Sequence, residues 1–525
     1  MKPFHIVYIT VLAALLGCHE TKHHSPGPSL IYLDFNNQIV NSGILPTQFQ
    51  GDKFVSYAQG VSDTCLNLTQ TATYRKPVII NKGFNNSFSE YKGFTFLTWV
   101  KADAADPYEY VIAGQKIPTN DFQNYLGWHI SKTSTGGWMW EAGDGINTIR
   151  YQPMTQHQPL NDGNWHQIGF SLNKKLREAR FYFDGRLKAL FSTEKIDNLF
   201  PGSSLYIGAD PLAQNLRMET FNGMIDELAI WSQALSDAQV ANHYKEISGK
   251  KIKPLPEFRD SVTIMTWNIW NGGTSQGKFV GIQRITDIIR HAKADIIALQ
   301  ETLDAGELIA GELDYYYYKR GENLSVISRF PPIRSYNVFH PLHFGAVMLD
   351  LGDDKTLLVG PIWLSRHPNL PAYFMKENAR ADTIEVREME TRGRETRFIL
   401  SEISPLIRNN AQHATVIAGD FNSGSHLDWT EQNKKRHNNL VVNFPSSQFM
   451  YEAGFSDAYR TLFPDETVST GYTWSPIYKE GLQTRMDFIY YKGENIEPSS
   501  AKVIDTWPLG FPSDHAAVVV SFKIN

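Results

Sequence analysis

Residues 415–423 read TVIAGDFNS. Thr415–Ala418 is a short β-branched and apolar run, the composition of a strand buried on both faces. Gly419 closes it, and Asp420 and Asn422 follow at once. Inside such a strand a carboxylate or amide would be costly, whereas at its end it can face a cleft. The same arrangement recurs around it. Asn268 follows SVTIMTW (Ser261–Trp267), Glu301 follows DIIALQ, Asp487 precedes FIYY (Phe488–Tyr491), and Asp514 and His515 precede AAVVVSF. Leu324–Ile327 (LSVI) and Thr356–Val359 (TLLV) read as further buried strands. Helical periods alternate with them at Ile282–His291 (IQRITDIIRH) and along the charged stretch Lys376–Ile407, which Pro405 is expected to break. Alternation of this kind predicts an α/β domain with helices outside a sheet core, and the polar strand ends predict one shared cleft.

Oxygen donors in such a cleft suit magnesium, which keeps waters for substrate. A metal, a carboxylate that aligns water and an imidazole that donates to phosphoryl oxygens together support phosphoryl transfer. Taken singly, each residue has an ordinary structural reading as a turn, a cap or a satisfied histidine.

The ordered motifs SVTIMTWNIW, DIIALQET, NLSVISRFPPI, VIAGDFNS, TRMDFIYY and PSDHAAVVVSF resemble the endonuclease/exonuclease/phosphatase superfamily, the fold of deoxyribonuclease I and neutral sphingomyelinases. The resemblance covers about 261–525 and implies a four-layer α/β sandwich of deoxyribonuclease I type. It implies a magnesium-dependent phosphoester hydrolase, with manganese as the alternative ion. By position it makes Glu301 the metal ligand, supported by Asn268 and Asp514. Asp420 would activate the water, Asn422 and His515 would hold the phosphate, and Asp487 or Asp514 would orient His515. Arg485 is a candidate for a further phosphate contact or an exposed surface arginine. One departure stands out. Trp363-Leu364 occupies the place where family members often carry His-Leu, so either His367 reaches back to fill that role or the role is lost.

The first half reads differently. Phe94–Val100 (FTFLTWV), Trp165–Leu172 (WHQIGFSL), Arg180–Phe183 (RFYF) and Ser204–Ile207 (SLYI) are short, aromatic and bounded by turn residues such as Asp184-Gly185. One amphipathic stretch, Ser236–Ile247, starts at a Ser N-cap and closes the unit. A two-sheet all-β sandwich is expected. The segments FTFLTWVKAD, DGNWHQIGFSL, RFYFDGR and FNGMIDELAIWSQALSDAQV resemble the concanavalin-like jellyroll of laminin-G type. Such domains often bind glycans, sometimes with calcium, and many only pack beside a catalytic partner. Asp226 is read as a structural carboxylate.

The expected organisation is a lipoprotein signal peptide at 1–17, a tether at 18–29, the jellyroll at 30–248, a charged linker at 249–260 and the catalytic domain at 261–525. The start MKPFHIVYITVLAALLGC holds an apolar run too short to span a bilayer. Its LLGC ending resembles the bacterial lipobox, which implies a lipid on Cys18, membrane attachment and a place in the cell envelope. His19, His23 and His24 belong to the tether. With two cysteines in 525 residues there is no disulfide framework and no cysteine-rich zinc site. A lipidated Cys18 would leave Cys65 a lone thiol.

Charge narrows the partners. Residues 1–257 carry 23 basic and 23 acidic side chains, and residues 258–525 carry 27 and 32, the whole net −5. That disfavours a basic groove for nucleic acid and favours a metal-bridged phosphate contact. Lys434-Lys435-Arg436 and Arg387, Arg392, Arg394 and Arg397 read as solvated helix faces. Tyr315–Tyr318 offers rings to bases or sugars, although four consecutive residues cannot share one strand face. A monomeric cell-surface phosphodiesterase, most simply a nuclease, is expected, acting on nucleic acid, phospholipid or inositol phosphate. A phosphomonoesterase or sphingomyelinase-type hydrolase, or a catalytically dead glycan-binding lipoprotein, are the alternatives.

Overall fold

The computed structural model describes residues 27–51, 53, 55–82, 92–119, 124–216, 219–252, 261–409 and 413–525. Cys18, the lipobox, most of the tether and most of the linker lie outside the described residues.

The first domain is a sandwich of two antiparallel sheets. One carries Gly93–Ala102, His166–Asn173, Glu178–Phe183, Arg186–Ser192 and Gly223–Trp231. The facing sheet carries Val78–Lys82, Tyr110–Pro118, Tyr125–Lys132, Trp138–Asp144, Thr148–Tyr151 and Leu205–Ile207. Period-2 alternation turns Phe94, Phe96, Phe170 and Phe181 of the first against Trp128 and Trp140 of the second. Their ring centroids lie 5.0–6.0 Å apart, in the range where tilted aromatic pairs attract. The helix Asp237–Ser248 begins at Ser236 with a capping box, as its sequence predicts.

The second domain has four layers. One sheet orders the strands Ile496–Ile504, Ala517–Ile524, Ser261–Asn268, Ile296–Gln300, Leu324–Ser328 and Tyr316–Lys319. The other orders Pro332–Tyr336, Ala346–Gly352, Lys355–Trp363, Ala414–Asp420, Asp487–Lys492 and Ser456–Asp457. Val262, Ile264, Ile296, Ala298 and Val326 pack face to face with Val347, Val359, Val416, Ala418 and Ile489. The helix Lys278–Ala292 covers the outside of the first sheet through Ile282, Ile285, Ile288 and Ile289. Arg394–Asn409 covers the second through Ile399, Leu400 and Ile403. Pro405 does not break this helix. It removes one backbone bond near the end, and the packed face carries through. The interruption falls instead at Met389–Gly393, a π-turn that buries Arg392 against Glu388.

The two domains share a sheet. Arg186–Ser192 of the jellyroll runs parallel to Tyr316–Lys319, with Ala189 opposite Tyr317, Leu190 opposite Tyr318 and Phe191 opposite Lys319. The tyrosine run is therefore structural. Tyr316, Tyr317 and Tyr318 are all buried, and Tyr317 meets the Phe191 ring edge-on at 5.7 Å, so they present no stacking platform. Around this seam Glu178 accepts from Ser335 N at 2.6 Å and Oγ at 2.9 Å. Arg320 bonds to both domains at once.

Candidate active site

Five strand ends meet at one edge of the catalytic sandwich. Asn268, last residue of its strand, donates through Nδ2 to Glu301 Oε1 at 3.1 Å and to Asp420 Oδ2 at 3.1 Å. A single amide thus spans the two sheets. Its own Oδ1 accepts from Trp270 N, which fixes the orientation of the amide. Glu301 follows Ile296–Gln300 in the left-handed region, at φ 56°, and its second oxygen accepts from Asn271 N at 2.9 Å. Asp420 and Asp487 sit opposite each other on neighbouring strands. Asn422 turns back at φ 48°, its N–H donating to Asp420 Oδ1 at 2.7 Å and its side chain to Asp420 Oδ2 and Leu364 O at 3.0 Å each.

His515 closes the cluster. Its Nδ1 lies 2.9 Å from Asp487 Oδ2 and its Nε2 lies 3.8 Å from Asp420 Oδ2. Ser513 Oγ donates to Asn268 O and accepts from His515 N, while Trp267 Nε1 donates to His515 O, so the loop is locked to the central strand. Burial alone would push the imidazole pKa down. The carboxylates of Asp487, Asp420 and Asp514 outweigh it and hold the ring protonated well above the usual histidine range. Burial likewise raises Asp420, with His515 pulling the other way. Asp514 is pushed up to about 6 by burial, opposed by His515 and reinforced by Glu301.

Asn268, Glu301, Asp420, Asn422, Asp487, Asp514 and His515 therefore converge as the sequence predicts. Arg485 does not join them. It precedes the strand Asp487–Lys492 and is buried, with Asp428 and Asp457 accepting from its guanidinium at 2.6–3.1 Å. A guanidinium fork saturated by two carboxylates has nothing left for a phosphate, and neither reading of Arg485 survives. Trp363 sits in register with Asp420, at the rim of the site. The ring stacked on it, 6.0 Å between centroids at 11°, belongs to His343, whose Nδ1 lies 2.9 Å from Trp363 O. His367 is exposed. Sequence reading missed His343 because it lies on a loop 20 residues upstream, and missed Ser513 and the Asn271 peptide N–H because neither carries a distinctive signal.

Two sets of ligands are available for a cation. Glu301 and Asp514 both offer carboxylates, and Glu301 adds to the cost of ionising Asp514, a cost that a bound divalent ion would offset. Atoms of Asp420, Asp487 and His515 also lie within 4.8 Å of one another. The all-oxygen set is the one suited to a hard ion.

In the jellyroll, Asp226 is structural as expected, its carboxylate accepting from the backbone N–H groups of Val61 and Glu227. Cys65 is buried and unpaired. Arg392 is buried beside Glu388 and donates to Pro368 O, so it is no part of a solvated helix face.

Residues 265–515 match the Endonuclease/Exonuclease/phosphatase family, and residues 80–241 match the concanavalin A-like lectin/glucanases superfamily. An uncharacterized protein of Caenorhabditis elegans is 29% identical over 301 residues, covering 50% of this chain and 91% of its own length. Among solved structures, truncated TDP2 of Caenorhabditis elegans aligns at 17% identity over 50% of this chain and 98% of that chain, with a TM-score of 0.36. The botulinum neurotoxin serotype D binding domain aligns at 17% identity over 42% of this chain and 51% of that chain, with a TM-score of 0.32. The chain thus joins a concanavalin A-like jellyroll to an endonuclease/exonuclease/phosphatase domain, a hydrolase fold for phosphoesters.

Proposed function

We propose that the C-terminal domain is a divalent-metal-dependent phosphodiesterase. The observation that carries this reading is the Asn268 amide, which ties Glu301 of one sheet to Asp420 of the other, beside the Asp487–His515 pair. Glu301 and Asp514 would hold the metal, with the Asn268 amide orienting Glu301 and magnesium or manganese fitting the oxygen donors. When bound, the ion polarises the phosphoryl oxygen and neutralises developing charge. Asp420 takes the proton from the attacking water, and its raised pKa makes it a better base near neutrality. Asn268 and the Asn422 amide hold the Asp420 carboxylate in one orientation. His515, kept protonated by Asp487, donates from Nε2 to the phosphoryl oxygens and leaving group.

The LLGC ending supports a second element of the reading, a bacterial envelope protein anchored by lipid on Cys18. Incorporation of labelled palmitate that Cys18→Ala abolishes would establish it.

Purified full-length protein with magnesium is expected to hydrolyse bis(p-nitrophenyl) phosphate, and chelation should stop it. Asp420→Ala should lower kcat/KM by about 10²–10⁴-fold. Turnover that resists both chelation and Asp420→Ala would refute the assignment. Release of phosphate from monoesters alone would convert it to a phosphatase.

A further inference from the structure

A cavity of about 390 Å³ lies between the two domains. The jellyroll contributes Ile149, Arg150, Phe191 and Glu194 to its wall, and the catalytic domain contributes Asp304 and Glu322. The strands that join the domains end at this cavity, with Phe191 opposite Lys319. Backbone hydrogen bonds therefore fix the spacing of its two walls.

Its Asp304 wall lies close along the chain to Glu301 of the catalytic cleft. Asp304 is three residues past Glu301, so their Cα atoms are within about 11 Å. Thr302 N donates to Asn323 O at 3.3 Å, which ties the segment holding Glu322 to the residue after Glu301. Asp304 stands at the N-cap position of Ala305–Leu313 but makes no capping bond, and the residue lines the cavity.

The charges on the wall cancel. Arg150, Lys195, Lys319 and Arg320 face Glu141, Glu194, Asp304 and Glu322. A second phosphate or a nucleic-acid strand gains no net attraction there. A hydroxyl both donates and accepts, so it suits a wall that presents guanidinium and carboxylate together. Phe191 and Ile149 supply an apolar surface for the carbon face of a ring.

We propose that this cavity is a subsite for a neutral, hydroxyl-rich group, a sugar ring or cyclic polyol, carried by the phosphoester whose phosphate sits at Asp420 and His515. The part concerning turnover rests on the phosphodiesterase reading above; the binding part does not.

Saturation-transfer NMR on the full chain, with myo-inositol and methyl glucoside as probes, reads binding without turnover. Saturable millimolar binding is expected, and Arg150→Ala and Asp304→Ala should each weaken it about fivefold, the value of one hydrogen bond. In the same variants the ratio of kcat/KM for glycerophosphoinositol to that for bis(p-nitrophenyl) phosphate should fall about fivefold. Absence of binding by both probes, or binding that neither substitution alters, would overturn the proposal. Wild-type protein that binds a probe at Arg150 and Asp304 yet hydrolyses neither diester would retain the subsite and remove the phosphodiesterase reading.

Discussion

Arg320→Ala tests how the two domains are joined. The Arg320 side chain is fully buried and makes five hydrogen bonds. Two go to the jellyroll, at Ser192 Oγ and Glu194 Oε2. Three go to the catalytic domain, at Asn337 Oδ1, Phe339 O and Phe344 O, each within 3.0 Å. Truncation strands these acceptors and leaves a void where the guanidinium lay. Glu194 stays a third exposed, so the cost comes mainly from the buried acceptors left without a donor and is on the order of 3 kcal/mol. For domains of this size that corresponds to a fall in melting temperature on the order of 10 °C. Arg320→Lys keeps the charge but loses the planar fork, so it should fall between wild type and alanine. Arg290→Ala is the control, because that side chain is 47% exposed and pairs only at the surface. Calorimetry of the full chain should show the jellyroll and catalytic transitions, coincident in wild type, separating in Arg320→Ala. A variant that melts as one unit within about 1 °C of wild type would refute the claim that Arg320 couples the domains.

Arg485→Met should destabilise the catalytic domain by about 3–5 kcal/mol, because it leaves Asp457 buried without its ion-pair partner and Asp428 with Arg460 alone. Denaturant unfolding reads this, and a variant of unchanged stability with a raised KM would restore Arg485 to the phosphate site. In the jellyroll, burial pushes Asp226 up to about 7 against the Val61 N–H bond that lowers it, with Glu227 adding to the rise. The folded state thus holds this proton more tightly than the unfolded chain. Its contribution is complete below about pH 4 and is lost as pH rises toward 7, at most about 4 kcal/mol in all. Asp226→Asn should flatten that slope, so the melting curves of the two proteins should converge or cross between pH 4 and pH 8. Parallel curves would count against it.

The sheets and the site were legible to different degrees. Asp420, Asn268 and His515 stood out because each ends or precedes an apolar run, and the cost of burying a lone polar group restricts where it can sit. Arg485 shared that neighbourhood in sequence, and a period of two would have put it on the face of Asp487, but the strand begins only at Asp487, so strand alternation does not govern where Arg485 points. Ile496–Ile504 escaped reading because IEPSSAKVI is an outermost strand with exposed alternate positions and a proline. Pro332–Tyr336 is similarly polar and short. The seam between Arg186–Ser192 and Tyr316–Lys319 joins residues more than a hundred apart, and nothing local encodes such a pairing. Only the aromatic excess at Tyr315–Tyr318 marked it, and that signal also suits a ligand platform.

The parallel seam has a consequence for the separate halves. Arg186–Ser192 and Tyr316–Lys319 are each the outermost strand of their own sheet, and each satisfies peptide groups that the other would leave bare. An unprotected outer strand is a template for pairing with another chain. Each domain is therefore the other's guard against self-association. Either one expressed alone would carry an apolar, unpaired ladder at Leu190 or Tyr318, and would gain by stacking on a copy of itself.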